Sequence, residues 1–86
     1  MKRPEKLPPL ELIEWVDSYK PGRYTWMSLE DLQRDHASPC VAYSAGFVTY
    51  ETKTVVAVSD SWSESSQSAP MIIPKCAVLR RTRLRA

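Results

Sequence analysis

The stretch that most constrains this chain is CVAYSAGFVTYET, residues 40–52, whose side chains alternate in character with a period of two. Such alternation cannot place a coherent face on a helix, but it gives a β-strand two distinct sides. Val41, Tyr43, Ala45, Phe47 and Thr49 fall on one side, and Ala42, Ser44, Gly46, Val48 and Tyr50 on the other. Both sides are partly apolar. Gly46 in its middle predicts a sharp bend or a bulge. After the turn at Glu51-Thr52-Lys53, TVVAVSDS returns as the neighbouring strand.

The remaining elements are shorter. Residues 1–9, MKRPEKLPP, carry three prolines and read as an extended lead-in, frayed in part. LELIEWVDS (10–18) alternates and is expected to be the first strand, closed by the Pro21-Gly22 turn. TWMSLEDLQRDHASP is the one helical segment, with Ser28 as N-cap, Asp31 three positions on, and Pro39 as its end. It is too short to stand alone, so Leu29 and Leu32 should rest on another element. WSESSQSAP reads as a mobile, serine-rich loop, PMII as a short strand, and CAVLRRTRL as a last one beyond Pro74-Lys75. Five short antiparallel strands with a helix after the first predict a mainly β domain over 10–86. Closure into a small barrel would remove its free edges.

Eighty-six residues provide for one domain, with the charged and apolar content of an ordinary globular protein. No apolar run reaches the ~20 residues that span a bilayer, and the N-terminal stretch has no signal-peptide core, so a cytosolic protein is expected. Cys40 and Cys76 are read as small buried strand residues, without the spacing of a zinc site. A disulfide between them stays possible if their strands adjoin. His36 beside Cys40 lacks the surroundings of a nucleophile–base pair, and reads as a solvated residue at a helix C-terminus. With only Gly22 and Gly46 there is no phosphate-cradling glycine loop. The expectation is a binding protein rather than an enzyme, without cofactor or metal.

The closing segment MIIPKCAVLRRTRL, two short strands parted by one turn, resembles the end of SH3-like barrels. It is most similar to the Sm-like group, in which a single 3₁₀ turn separates the fourth and fifth strands. Cys76 stands where RNA-binding members carry a histidine, so the resemblance implies the barrel and not their RNA site. Sm-like barrels often form rings through edge strands, which implies an oligomer. EWVDS (14–18), WMSLEDL (26–32) and IPKCAV (73–78) together also resemble short phage and prophage proteins. That likeness implies an accessory protein working in the cytosol of an infected cell.

Charge supplies the functional expectation. Residues 1–65 carry seven basic and ten acidic side chains, whereas 66–86 carry five basic and none acidic. In a strand starting at Val78, alternation puts Val78, Arg80, Thr82 and Leu84 on one side, and Leu79, Arg81, Arg83 and Arg85 on the other. Arg81, Arg83 and Arg85 then form a stripe spaced for successive phosphates. The competing readings are a charged edge that resists aggregation, and ion pairing with Glu11, Glu14 and Asp17 on the first strand. Tyr19, Lys20, Arg23, Tyr24 and Trp26 interleave aromatic and basic groups around a turn, as base-stacking surfaces do. Trp26 is expected instead to pin the helix to the barrel, and Trp62 to stand exposed in its polar loop. The candidate ligand-binding set is therefore Lys75, Arg81, Arg83, Arg85, Arg23, Tyr24 and Trp62, for nucleic acid or a nucleotide. The alternative is a phage counter-defence protein that binds a host protein or sequesters a nucleotide immune signal.

Overall fold

The computed structural model describes residues 7–19 and 26–85. In chain order the elements are β1 (Leu10–Asp17), α1 (Leu29–Asp35), β2 (Cys40–Glu51), β3 (Val55–Ser59), β4 (Ser61–Trp62), β5 (Gln67–Ser68), β6 (Met71–Pro74), a 3₁₀ turn (Lys75–Ala77) and β7 (Val78–Leu84). Five strands form one antiparallel sheet in the order β6-β3-β2-β1-β7, while β4 and β5 make a separate two-stranded ribbon. The helix follows the first strand, as expected.

The sheet curls around one face. Ile13 and Trp15 of β1 share a buried cluster with Val48 of β2, Val56 and Val58 of β3, and Ile73 of β6, with Ala42 and Val78 packed against it. β6 and β7 stand at opposite edges, about 19 Å apart in a flat five-stranded sheet, yet only Lys75–Ala77 joins them, a link that spans at most about 14 Å. The Trp15 indole N–H donates to Ser44 Oγ at 3.0 Å, so the largest core residue keeps its polar atom satisfied.

Curling stops short of closure: the expected barrel is open, with β6 and β7 as the two edges of the sheet. The connection between them explains this. Lys75–Ala77 is a single 3₁₀ turn, which redirects the chain without folding it back as a hairpin turn would. Its entry is fastened to the far hairpin, where the Lys75 N–H donates to the Thr54 carbonyl at 2.8 Å. That hairpin is built as anticipated. Thr52 Oγ1 accepts from the N–H groups of Thr54 and Val55, at 3.2 and 3.1 Å.

Two one-residue bulges set which side chains face inward. In β2, Val48 pairs with Val58 and Tyr50 with Ala57, leaving Thr49 as the extra residue. In β7, Val78 pairs with Trp15 and Arg80 with Glu14, leaving Leu79 extra. Each bulge shifts the later residues to the opposite face. Past Thr49, Glu51 joins the core-facing side opposite Val56, and past Leu79, Arg81 and Arg83 join it opposite Ile13 and Glu11. The strict alternation expected from Val78 is therefore broken: Arg80, Thr82 and Leu84 face outward with Glu14, Leu12 and Leu10.

Gly46 has a different purpose from the bulge expected of it. A Cβ there would run into the Ser59 carbonyl oxygen and sit 3.1 Å from Val58 Cγ1, so glycine permits the end of β3 to lie close over β2. Ser59 is wholly buried and its hydroxyl meets Thr49 Oγ1 at 2.9 Å, which fixes the bulge beside that approach.

Other expectations are corrected. Residues 61–68 are not a loose loop: Ser61 and Trp62 pair with Ser68 and Gln67, and the tip closes where the Ser63 N–H donates to the Ser66 carbonyl at 2.8 Å. Cys40 and Cys76 are both exposed and free, because the first opens its strand and the second lies in the 3₁₀ turn. Helix α1 forms with the expected cap, Ser28 Oγ accepting from the Asp31 N–H at 3.1 Å, but it buries no residue. Trp26, expected to pin it, is 88% exposed. No helix is long and apolar enough to cross a membrane among the described residues.

Replacing Gly46 by alanine forces either β3 or the Ser59 carbonyl to shift. Urea denaturation of Gly46→Ala should show a loss of about 1–3 kcal/mol, the usual cost of overpacking. Ala45→Ser, at the exposed neighbouring position, should stay within about 0.5 kcal/mol of the parent.

Candidate functional site

The charged face of β7 separates into two unlike parts. Arg81 is held by carboxylates from two other strands. Its Nε and Nη2 donate to Glu11 at 2.7 and 3.0 Å, and its Nη1 and Nη2 to Glu51 at 3.0 and 2.9 Å. Lys75 Nζ completes the cluster 2.7 Å from Glu51 Oε2. Glu11 is the most enclosed member, its side chain 12% exposed, so the guanidinium fork compensates a carboxylate drawn out of water. The hydrogen bonds from Arg81 and then Lys75 pull the Glu51 carboxyl down to about 2, and those from Glu51 and Glu11 push the Arg81 guanidinium up.

Both bulges are needed for this cluster. Without the extra Thr49, Glu51 would point to the outer side with Phe47, and without Leu79, Arg81 would face away from Ile13. Pairing of the stripe with the first strand is thus realised by Arg81 with Glu11, whereas Glu14 meets Arg80 on the other side of β7, its Oε2 3.8 Å from the Arg80 Nε. Asp17 forms no ion pair among the described residues. Glu51 was not expected as a partner, because its place on the inner face depends on a bulge that no residue type at 48–50 announces.

Arg83 and Arg85 form the second part. Neither has a carboxylate partner among the described residues, and both line one groove of about 450 Å³ with Leu7, Pro8, Pro9, Leu10 and Leu84. Residues 7–9 are anchored along this groove, since the Pro9 carbonyl accepts from the Val48 N–H at 2.8 Å. The result is an apolar ledge beside two cations, with no acidic side chain in the lining. The ledge was missed because the prolines at 8 and 9 read only as breakers.

The other candidates lie elsewhere. Trp62 is half-buried in β4, lining a separate hollow with Ser61, Ser63, Ser66, Gln67 and Ser68. Arg23 and Tyr24, with Lys20, lie outside the described residues. Tyr19 is half-exposed, and its hydroxyl meets His36 Nδ1 at 2.9 Å across the base of α1. His36 caps the helix, its N–H donating to the Leu32 carbonyl at 2.9 Å. No group of three or more residues able to hold a metal ion occurs among the described residues. No family model matches the chain, and neither the curated proteins nor the solved structures contain a significant match.

Two outcomes are expected for the cluster. Arg81→Met should cost about 3 kcal/mol in urea denaturation by stranding Glu11, and adding Glu11→Leu should recover much of that loss. For Glu51, the folded-state value lies below the ordinary carboxylate range, so its contribution is complete above about pH 4.5 and fades as pH falls towards 2. Because this carboxylate is partly solvated, the contribution is on the order of 1 kcal/mol. Stability measured from pH 6 to about pH 2.5 should therefore fall less steeply in Glu51→Gln than in the parent.

Proposed function

We propose that this is a non-catalytic binding protein whose ligand carries phosphate, as a nucleotide or a stretch of nucleic acid. Arg83 and Arg85 take the phosphates, and the ledge of Leu7, Pro8, Pro9, Leu10 and Leu84 receives the less polar part of the ligand. The observation that carries this reading is the division of labour within β7. Arg81 is consumed by two carboxylates, whereas Arg83 and Arg85 share a groove lined by no acid. Guanidinium groups without internal partners are strong phosphate donors. The groove's volume falls within the range of small-molecule sites.

Within this reading Lys75 and Arg81 hold the sheet rather than the ligand, and Trp62 supplies no stacking surface to the groove. In the phage setting that the sequence resembles, the use of such a site is capture of a nucleotide signal of host defence. A host-protein partner is the second reading, favoured by the free β6 edge with Met71 and Ile72 about half exposed.

Fluorescence polarisation with labelled single-stranded RNA and DNA, beside a thermal-shift panel of nucleotides, tests the first reading. Two phosphate contacts predict a slope of about −1.4 for log affinity against log salt on a single strand. Arg83→Ala with Arg85→Ala should reduce that slope towards zero and lower affinity at least about tenfold without lowering the melting temperature. A shift with mononucleotides alone points to signal capture. The absence of any binding at low salt overturns the proposal in favour of the protein partner.

A further inference from the structure

The two free edges of the sheet present their main chains differently. In an antiparallel ladder alternate residues bond to one neighbour, so every second residue of an edge strand turns its N–H and carbonyl outward. For β6 the parity follows from the Lys75 N–H, which donates to the Thr54 carbonyl at 2.8 Å. Ile73 and Met71 therefore bond to β3 opposite Val56 and Val58, and Ile72 and Pro74 face outward. Proline has no N–H, and Pro70 stands two positions before Ile72. Ile72 is thus the one outward donor from Pro70 to Pro74. This edge meets a partner through the side chains of Met71 and Ile72, not by a ladder of hydrogen bonds.

The outer edge of β7 is open. The Pro9 carbonyl accepts from the Val48 N–H, so Glu11 and Ile13 bond to β2, while Leu10, Leu12 and Glu14 turn to β7. Their opposites there are Leu84, Thr82 and Arg80. Arg81 and Arg83 are left with main-chain groups pointing off the sheet, where no described strand pairs with them. No proline follows Pro74 to interrupt this row.

Charge narrows what can occupy this edge. β7 carries Arg80, Arg81 and Arg83 and no acid, so a second copy of β7 would set arginine against arginine. A second copy of β6 has only Ile72 to donate. Arg83 has no carboxylate partner among the described residues, and it lies on the core-facing side of β7, beside the place of an added strand. We propose that the outer edge of β7 takes an extended segment of a partner protein into the sheet, with acidic side chains of that segment against Arg83. The partner is that of the second reading, on which this proposal rests, and the edge gives it a place and a chemistry. Main-chain bonds hold the segment, and its alternate side chains select it. The phosphate groove does not use these main-chain groups, so the added strand is tested with no nucleotide present.

Titration of the full chain with a capped peptide of alternating glutamate and valine, followed by NMR in phosphate-free buffer of low salt, tests this. A peptide of about eight residues matches the length of β7. The amides of Arg81 and Arg83 should exchange with solvent at least about tenfold more slowly in the complex, while that of Ile72 stays unchanged. Only alternate nitrogens of an added strand face β7. N-methylation of one set, the central glutamates or the central valines, should therefore lower affinity about tenfold or more, and N-methylation of the other should change it less than about threefold. Arg83→Pro removes an outward N–H and no ladder bond, so it should keep the circular dichroism spectrum and lose the peptide. Binding indifferent to both methylation patterns overturns the added strand and leaves a protein partner standing. Absence of binding up to about 1 mM peptide overturns the strand and the acidic partner together.

Discussion

Arg81 sits where three strands must be held in a curve without a closing ladder of hydrogen bonds. Glu11 belongs to β1, Glu51 to the far end of β2, and Lys75 to the 3₁₀ turn that leads into β7. In a closed barrel, main-chain pairing between the first and last strands of the sheet would maintain such curvature. Here β6 and β7 are not paired, and side chains take over that role. The apolar cluster around Ile13, Val56 and Ile73 supplies the drive to curl. The charged cluster beside it determines how far the curling goes, since a bidentate arginine tolerates little change in distance or angle.

Function is displaced accordingly. An arginine already satisfied by two carboxylates is a poor ligand for a third anion, so the basic character of the last strand overstates what it offers to a partner. Only the far end of β7, past the cluster, retains cations beside an apolar ledge. The outward side of β7 is of another kind again, with Arg80, Thr82 and Leu84 set against Glu14, Leu12 and Leu10. The last strand and the residue after it thus carry, within five positions, one arginine held by two carboxylates and two with no carboxylate partner among the described residues.

Much of the element order was legible from residue types. Alternation in 10–18 and 40–51, the Ser28 cap and the Thr52 turn each follow from local chemistry, and each is present in the structure. The faces were legible only as far as the first bulge in each strand. Thr49 and Leu79 are ordinary strand residues, and their extra status is imposed by neighbouring strands rather than by their own preferences. A one-residue slip then reverses everything downstream, which is why Arg81 was assigned to the wrong side. The exposure of Trp26 was likewise beyond reach, because an aromatic at a helix entrance carries no mark of whether its own chain covers it.

The clamp between Glu11 and Arg81 joins residues 70 positions apart. At the usual pace of about 5–20 residues per second, the ribosome needs roughly 4–14 s to deliver the second after the first. Throughout that interval β1 can pair with β2, but its other edge waits, and Glu11 has no arginine to oppose it. The clamp that limits the curvature therefore cannot form until almost the whole of this stretch has been made.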